Sequence, residues 1–186
     1  MPQIANPSLP IKDAVVQVRR LDASEKFAFD LVVNQAARLE IAALLDFSEV
    51  KKARLSGELI PVGATDWEMR AKLGATVVQP CIITSQPVTT RIDQPVRRLF
   101  LRDYSFDATS DEHEFDGDDE TEPLSAEIDL GQILIESLAL AAPDYPRVPG
   151  AKLSQTEFAA PGITPLSDED VKPFAGLAAL RDKMKK

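Results

Sequence analysis

Hydrophobic and polar residues alternate along much of the first half of the chain, as they do in strands that bury one face. The alternation is regular from Phe27 to Val33, and apolar positions between Val15 and Leu21 indicate an earlier strand, so these segments predict a hairpin. From Lys52 to Tyr104, about five further strands follow one another with short connections. Because parallel strands need crossovers of about a dozen residues, this order predicts antiparallel pairing in a curved or partly barrel-like sheet.

Two other segments have the apolar spacing and the capping residues of helices. Asn34 can cap a helix that runs to Leu45, through residues of good or fair helix propensity. Asp129 can cap a second helix, with Gln132 three residues later as in a capping box, and Pro143 ends it. The second helix is apolar on most sides, which predicts that it is buried against the sheet.

Together these elements predict an α+β fold in which about six to seven strands pack with two main helices. The chain of 186 residues suits a single domain over residues 1–150, within which residues 105–125 form an acidic, mobile loop. Prolines recur beyond the second helix. Residues 151–186 are therefore expected to form an extended, proline-rich C-terminal arm with one short terminal helix from Pro173 to Met184.

The formal net charge of −9 is concentrated in one segment. Between Asp103 and Asp129 there are twelve acidic residues and no lysine or arginine, whereas the rest of the chain carries 21 basic and 18 acidic residues, a net charge of +3. Two interpretations of the acidic segment stay open. It is either a solvated loop or a mimic of nucleic acid that holds a basic protein by charge complementarity.

A cluster of arginines with a nearby aromatic residue precedes the acidic segment. These side chains could touch phosphate and stack on bases, or they could form a solvated sheet face that offsets the acidic loop. Both interpretations remain open at this point. The candidate RNA- or partner-binding residues are Arg91, Arg97, Arg98, Phe100 and Arg102.

Several classes of function have little support in the residues. Cys81 and His113 are the only cysteine and histidine, which excludes an intramolecular disulfide and a multi-thiolate metal site. No arrangement typical of a nucleophilic triad or a phosphate-binding glycine loop appears, so we predict no catalytic residue, no cofactor and no metal. Without an apolar run long enough to cross a bilayer or a signal-peptide pattern, we expect a cytoplasmic protein with neither membrane nor DNA as a partner.

Two separated stretches carry a resemblance to a known family. The first is Gln79-Pro80-Cys81-Ile82-Ile83-Thr84, followed by Pro87-Val88. The second begins at Ala126, runs through the second helix and ends with Pro143-Asp144-Tyr145-Pro146-Arg147-Val148-Pro149-Gly150-Ala151. Together they resemble the YceD family, and specifically its alphaproteobacterial branch. The positions that match its motifs are Cys81, Asp129, Glu136, Tyr145, Pro146 and Arg147.

Glu136 is unusual among these positions because its sequence neighbours are apolar. Unpaired burial of a carboxylate is costly, so it is expected either at the solvent margin or paired with an arginine such as Arg147.

The resemblance implies a non-enzymatic ribosome biogenesis factor that supports accumulation of large-subunit ribosomal RNA. Such a factor would bind precursor RNA through the arginine cluster or a basic ribosomal protein through the acidic loop. The alternative is a chaperone or stability factor for one partner protein unrelated to RNA. Many family members carry a second cysteine where Thr84 stands here, which implies a metal site in those members but none in this chain. The pattern leaves the oligomeric state open.

Overall fold

A computed structural model describes residues 14–104, 120–153, 159 and 162–163. Most of the predicted acidic loop, residues 105–119, and the predicted terminal helix from Pro173 to Met184 lie outside these residues. The elements in chain order are β1 (Val15–Gln17), a 3-10 helix (Val18–Arg20), β2 (Phe27–Val32), α1 (Gln35–Leu44), β3 (Glu49–Val62), β4 (Asp66–Pro80), β5 (Pro87–Leu101), β6 (Thr121–Pro123), β7 (Glu127–Asp129) and α2 (Leu130–Ala141).

The described strands form two sheets, and the predicted α+β class is confirmed. The larger sheet has the order β2-β3-β4-β5-β6, and the smaller one consists of β1 and β7. The first four strands of the larger sheet pair antiparallel, as predicted, but β6 pairs parallel to β5, with Leu99 opposite Thr121. The larger sheet is therefore mixed and open, with β2 and β6 at its edges, and it does not close into a barrel.

The predicted first hairpin is wrong, because β1 pairs with β7 rather than with β2. The 3-10 helix interrupts the extended backbone directly after β1, and the backbone N–H of Val18 donates to the carbonyl of Ala126 at 3.0 Å. All three residues of β1 have partners in β7, so β1 is joined to the segment before α2 and not to β2.

The stretch from Lys52 to Tyr104 also differs from the prediction, since three long strands replace about five short ones. Gly74 and Pro95 interrupt the apolar pattern without ending a strand. The backbone N–H of Leu99 points away from β4 and donates to the carbonyl of Glu120. Pro95 lies four residues earlier on the same strand, so its nitrogen points the same way. Its missing N–H therefore removes no hydrogen bond to β4. The second of these long strands, β4, ends at Pro80.

The core lies between the inner face of the larger sheet and helix α2, which contacts β1, β3, β4 and β5. This burial of α2 confirms the sequence prediction, and each buried leucine contributes about 1.5–3 kcal/mol. Helix α1 packs on β3 and contributes Ile41. The large side chains that are completely shielded from solvent include Leu55, Leu59, Met69, Leu73, Val77, Leu130, Leu134 and Leu138.

Both predicted helix caps are confirmed. The side chain of Asn34 accepts a hydrogen bond from the N–H of Ala37 at 2.9 Å, and that of Asp129 accepts one from the N–H of Gln132 at 2.9 Å. Within the described part of the chain, neither helix is long and apolar enough to cross a membrane.

The chain divides into two compact units, Met1–Val148 and Pro149–Lys186. The sheets and both helices belong to the first unit. In the second unit, Gly150 and Gly162 have positive φ angles of 78° and 87°, a backbone conformation that glycine adopts at little cost.

Candidate nucleic-acid interface

A groove of about 550 Å³ lies on the solvent side of the larger sheet, where the end of β2 and the start of α1 meet strands β3 to β5. Within the described part of the chain, Asp93 is the only acidic residue that lines it. The basic residues that line it are Arg38, Lys52, Arg54, Lys72 and Arg91. We call these five residues the groove cations. Their excess over acidic groups gives the groove a predominantly positive lining.

The strand alternation brings the groove cations together. Lys52 and Arg54 on β3 are exposed, whereas the intervening Ala53 is buried. The β3–β4–β5 register places Lys52 opposite Thr76, and Thr76 opposite Arg91, in one row across the sheet. Residues far apart in sequence therefore share one surface.

A β-bulge in β3 determines which face of the sheet carries the Lys52 side chain. Pairing between β3 and β4 shifts between Val50 and Lys52, so that one residue of β3 has no Cα partner. Val50 is buried and Lys52 is exposed, although they are two positions apart and regular alternation would place both on one face. The bulge therefore turns Lys52 toward the groove.

Two of the groove cations are held by carboxylates. Arg54 donates through Nε and Nη2 to Asp30 at 2.6 and 2.7 Å, and Arg91 donates to Asp93 at 2.7 Å through each of the same two nitrogens. Hydrogen bonding to the carboxylates raises the pKa of both guanidinium groups. The same contact with Arg91 lowers the pKa of the Asp93 carboxyl.

Three of the groove cations lack a carboxylate at hydrogen-bond distance among the described residues. None of the described residues forms a hydrogen bond or ion pair with the ammonium group of Lys52. The ammonium of Lys72 lies 4.0 Å from Asp93, which already accepts two hydrogen bonds from Arg91. Arg38 donates to the neutral carbonyl of Lys51 at 2.9 Å, which leaves its charge in place. A bound anion would therefore meet the least neutralised charge at Lys52, Lys72 and Arg38.

The structure does not assemble the predicted arginine cluster into one surface. Arg91 lines the groove, and Arg97 on the same face bonds Glu68 at 2.6 Å and Glu120 at 2.8 Å. Arg102 lies beyond the end of β5. Successive strand residues point to opposite faces, which divides the cluster between the two sides of the sheet.

Phe100 and Arg98, the inward-facing members of the predicted cluster, contact other parts of the protein. Phe100 is only 4 % exposed and belongs to the core, so it is not available to stack on a base. The Nε atom of Arg98 lies 2.8 Å from a carboxylate oxygen of Glu122, in an ion pair whose angle falls outside the range of a hydrogen bond.

Four of the groove cations were not among the binding residues predicted from the sequence, namely Arg38, Lys52, Arg54 and Lys72. Three of them are polar members of alternating strands, and that alternation was the available signal. Their shared location depends on the long-range register and on the bulge, which local patterns do not reveal.

The two motif stretches contact each other at the end of β4. The N–H of Ile82 donates to the carbonyl of Pro146 at 3.0 Å, and the N–H of Val148 lies 3.4 Å from the sulfur of Cys81. Gln79 adds a hydrogen bond from its side chain to the carbonyl of Pro143 at 3.0 Å. The segment after α2 is therefore fixed to the turn that follows β4.

The remaining motif positions are more exposed. Tyr145 is 73 % exposed. The carboxylate of Glu136 accepts a hydrogen bond from the side chain of Gln132 at 2.8 Å, and Glu136 is half-buried at the solvent margin. Glu136 therefore lies at the solvent margin, which is one of the two environments expected for it.

Cys81 is buried in this turn, as its apolar surroundings predict. Hydrogen bonds from the Thr84 side chain and from the Val148 N–H lower the pKa of the thiol to about 7. Thr84 thus supplies a hydrogen-bond donor to the sulfur of Cys81. Among the described residues, no three metal-ligating side chains lie together, so the surroundings of Cys81 do not fit a metal ion.

Comparison with curated proteins and with solved structures finds no match for this chain. A family model described as "Large ribosomal RNA subunit accumulation protein YceD" matches residues 69–181. The match begins within β4 and includes the Cys81 turn, β5, α2 and the segment fixed to that turn. It spans more than half of the chain, and the chain therefore belongs to the YceD family of large ribosomal RNA subunit accumulation proteins.

Proposed function

We propose that this protein supports accumulation of large-subunit ribosomal RNA in the cytoplasm by binding RNA, without catalysing a reaction. The family description supplies the link to large-subunit ribosomal RNA. The groove cations, with one acidic residue among the groove lining, are the observation that supports direct binding. Neutralisation of phosphates by lysine and arginine is the main source of affinity for nucleic-acid backbones.

The acidic net charge of the chain does not oppose this proposal in the described region. At the end of the acidic segment, Glu120 forms an ion pair with Arg97, and Glu122 forms one with Arg98. These arginines offset both charges locally. The groove itself is lined by five basic residues and one acidic residue.

The test is a salt titration of RNA affinity with a charge-reversal variant. Lys52→Glu combined with Lys72→Glu removes both groove lysines and leaves both Arg–Asp pairs in place. We expect the variant to lose at least about tenfold in affinity at low salt. The slope of log K against log salt should become shallower by about 1.4, at ~0.7 per lost phosphate contact on a single strand.

Arg19→Glu combined with Arg20→Glu is the matched control. It changes the net charge by the same amount on an exposed 3-10 helix outside the larger sheet, and we expect little loss of affinity. An equal loss in both double variants would show that net charge rather than the groove governs binding. Wild-type protein without salt-sensitive affinity for RNA would refute direct binding.

Capture of the protein from cells, with and without ribonuclease, separates RNA binding from binding to a single protein. We expect the large-subunit components to be lost after ribonuclease treatment. A basic ribosomal protein that stays bound would instead favour recognition through the acidic segment.

A further inference from the structure

The spacing of the groove cations fits several phosphates rather than one. Neighbouring strands lie about 4.8 Å apart, so the backbones of Lys52 and Arg91, at either end of one row, are separated by roughly 10 Å. Lys72 lies opposite Ser56, four residues along β3 from Lys52, or about 13 Å along the strand direction. A ligand that engages all three must therefore carry phosphates over a distance of this order.

The lining of the groove has no aromatic side chain on which an unpaired base could stack. Its apolar lining consists of small side chains and a glycine, Val32, Val33, Ala53 and Gly74, without an aromatic residue. The two aromatic residues with substantial exposure in the described part of the chain, Tyr104 and Tyr145, do not line it. Single-strand binders gain about 1–3 kcal/mol per base from aromatic stacking, a contribution that this groove cannot supply.

Two of the groove arginines are held in a fixed orientation by carboxylates. In Arg54 and Arg91, Nε and Nη2 are bonded to Asp30 and Asp93, which leaves N–H groups on Nη1 and Nη2 for a ligand. Contacts from these groups to phosphate oxygens carry no sequence information.

From the cation spacing and the missing aromatic surface, we infer that the groove binds base-paired RNA through its phosphates, without preference for base sequence. The inference rests on the proposed function of the groove as an RNA-binding surface. A duplex keeps its bases stacked internally and presents phosphates on a fixed helical surface, which is the recognition mode of proteins that read double-stranded RNA by shape. The bound elements would be the paired segments of a folded RNA.

The experiment compares an RNA duplex of about 16 base pairs with each of its separated strands, chosen not to self-pair, at one salt concentration. We expect the duplex to bind at least about fivefold more tightly per molecule and with a steeper salt dependence, because phosphate contacts on a duplex release more counterions. A second duplex of unrelated sequence should bind within about twofold of the first. Lys52→Glu combined with Lys72→Glu should weaken binding to both duplexes.

The outcomes separate this inference from the proposed function. If the single strands bind more tightly than the duplex, and the double variant weakens that binding, the groove binds RNA but the preference for paired RNA is refuted. A strong difference between the two duplexes would refute recognition without base reading. If the double variant binds every RNA as well as wild type does, the groove is not the RNA site and the proposed function fails with it.

Discussion

The sulfur of Cys81 is the clearest case of one side chain whose chemistry is set by its neighbours. The hydroxyl of Thr84 and the N–H of Val148 both stabilise the thiolate, which lowers the pKa to about 7 from an ordinary value of 9.0. Since the folded pKa lies below the unfolded one, the thiolate stabilises the fold fully above pH 9.0, and this contribution is lost as the pH falls through about 7.

Thr84→Val removes the larger of these two effects and keeps the side-chain shape. We expect the pKa of Cys81 to move back toward 9.0, measured from the ultraviolet absorbance of the thiolate as a function of pH. The rise in thermal stability between these pH values should shrink in the same variant. Thr89→Val, an exposed strand position, is the control, and an unchanged titration in Thr84→Val would show that Thr84 does not set this pKa.

Glu68 is buried, with two arginines bonded to its carboxylate. Arg70 donates at 2.8 Å and Arg97 at 2.6 Å, and these hydrogen bonds, in that order, lower the pKa of Glu68 from its ordinary value of 4.5. The ionised carboxylate therefore stabilises the fold above pH 4.5, and this contribution is lost as the pH falls through the lowered pKa.

Glu68→Gln should reduce the free energy of unfolding at pH 7 by about 1–3 kcal/mol, because the bonds from charged donors weaken. The measurement is urea unfolding at neutral and acidic pH, where the difference from wild type should narrow as the pH falls. Glu58→Gln, which removes one exposed ion pair with Lys26, is expected to cost less than about 1 kcal/mol. Equal losses in the two variants would contradict the assigned role of Glu68.

Strand β4 leaves no room for a side chain at Gly57 of β3. A Cβ atom there would overlap the carbonyl oxygen of Arg70 and lie 2.5 Å from Cα of Ala71, and neither backbone atom can move aside like a flexible side chain. Gly57→Ala is therefore expected to lower the free energy of unfolding by about 1–3 kcal/mol, measured by urea unfolding.

Gly74→Ala provides the matched comparison for Gly57→Ala on the neighbouring strand. Its Cβ would meet the end of the Arg91 side chain at 3.2 Å, which can move, so a change below about 1 kcal/mol is expected. A Gly57→Ala variant as stable as wild type would show that the strands can separate at that point.

At the level of elements, the sequence was sufficient where local patterns determine structure. Asn34 and Asp129 marked both helix starts, and the apolar character of α2 indicated its burial. The partner of β1 and the parallel pairing of β6 could not be predicted, since both join segments far apart in sequence. The candidate site depends on the same long-range pairing, and only Arg91 among the predicted residues lines the groove.

On the scale of the whole molecule, charge is sorted by location rather than mixed. A chain of net charge −9 has a groove lined by five basic residues and one acidic residue. At the β5–β6 edge, Arg97 and Arg98 are paired with Glu120 and Glu122, so two of the predicted RNA-contacting arginines instead hold the return of the acidic segment. Net charge alone would have led to the opposite expectation for an RNA-binding protein.

The side of β5 that faces away from β4 has a consequence for behaviour at high concentration. In the described part of the chain, only Leu99–Leu101 of this long strand have a neighbour on that side. Unpaired strand edges are templates for association with further copies, but Pro95 lacks the donor that a continuous new ladder would need. Pro95, which interrupts the apolar pattern of β5, is thus expected to oppose edge-to-edge association of copies at this strand.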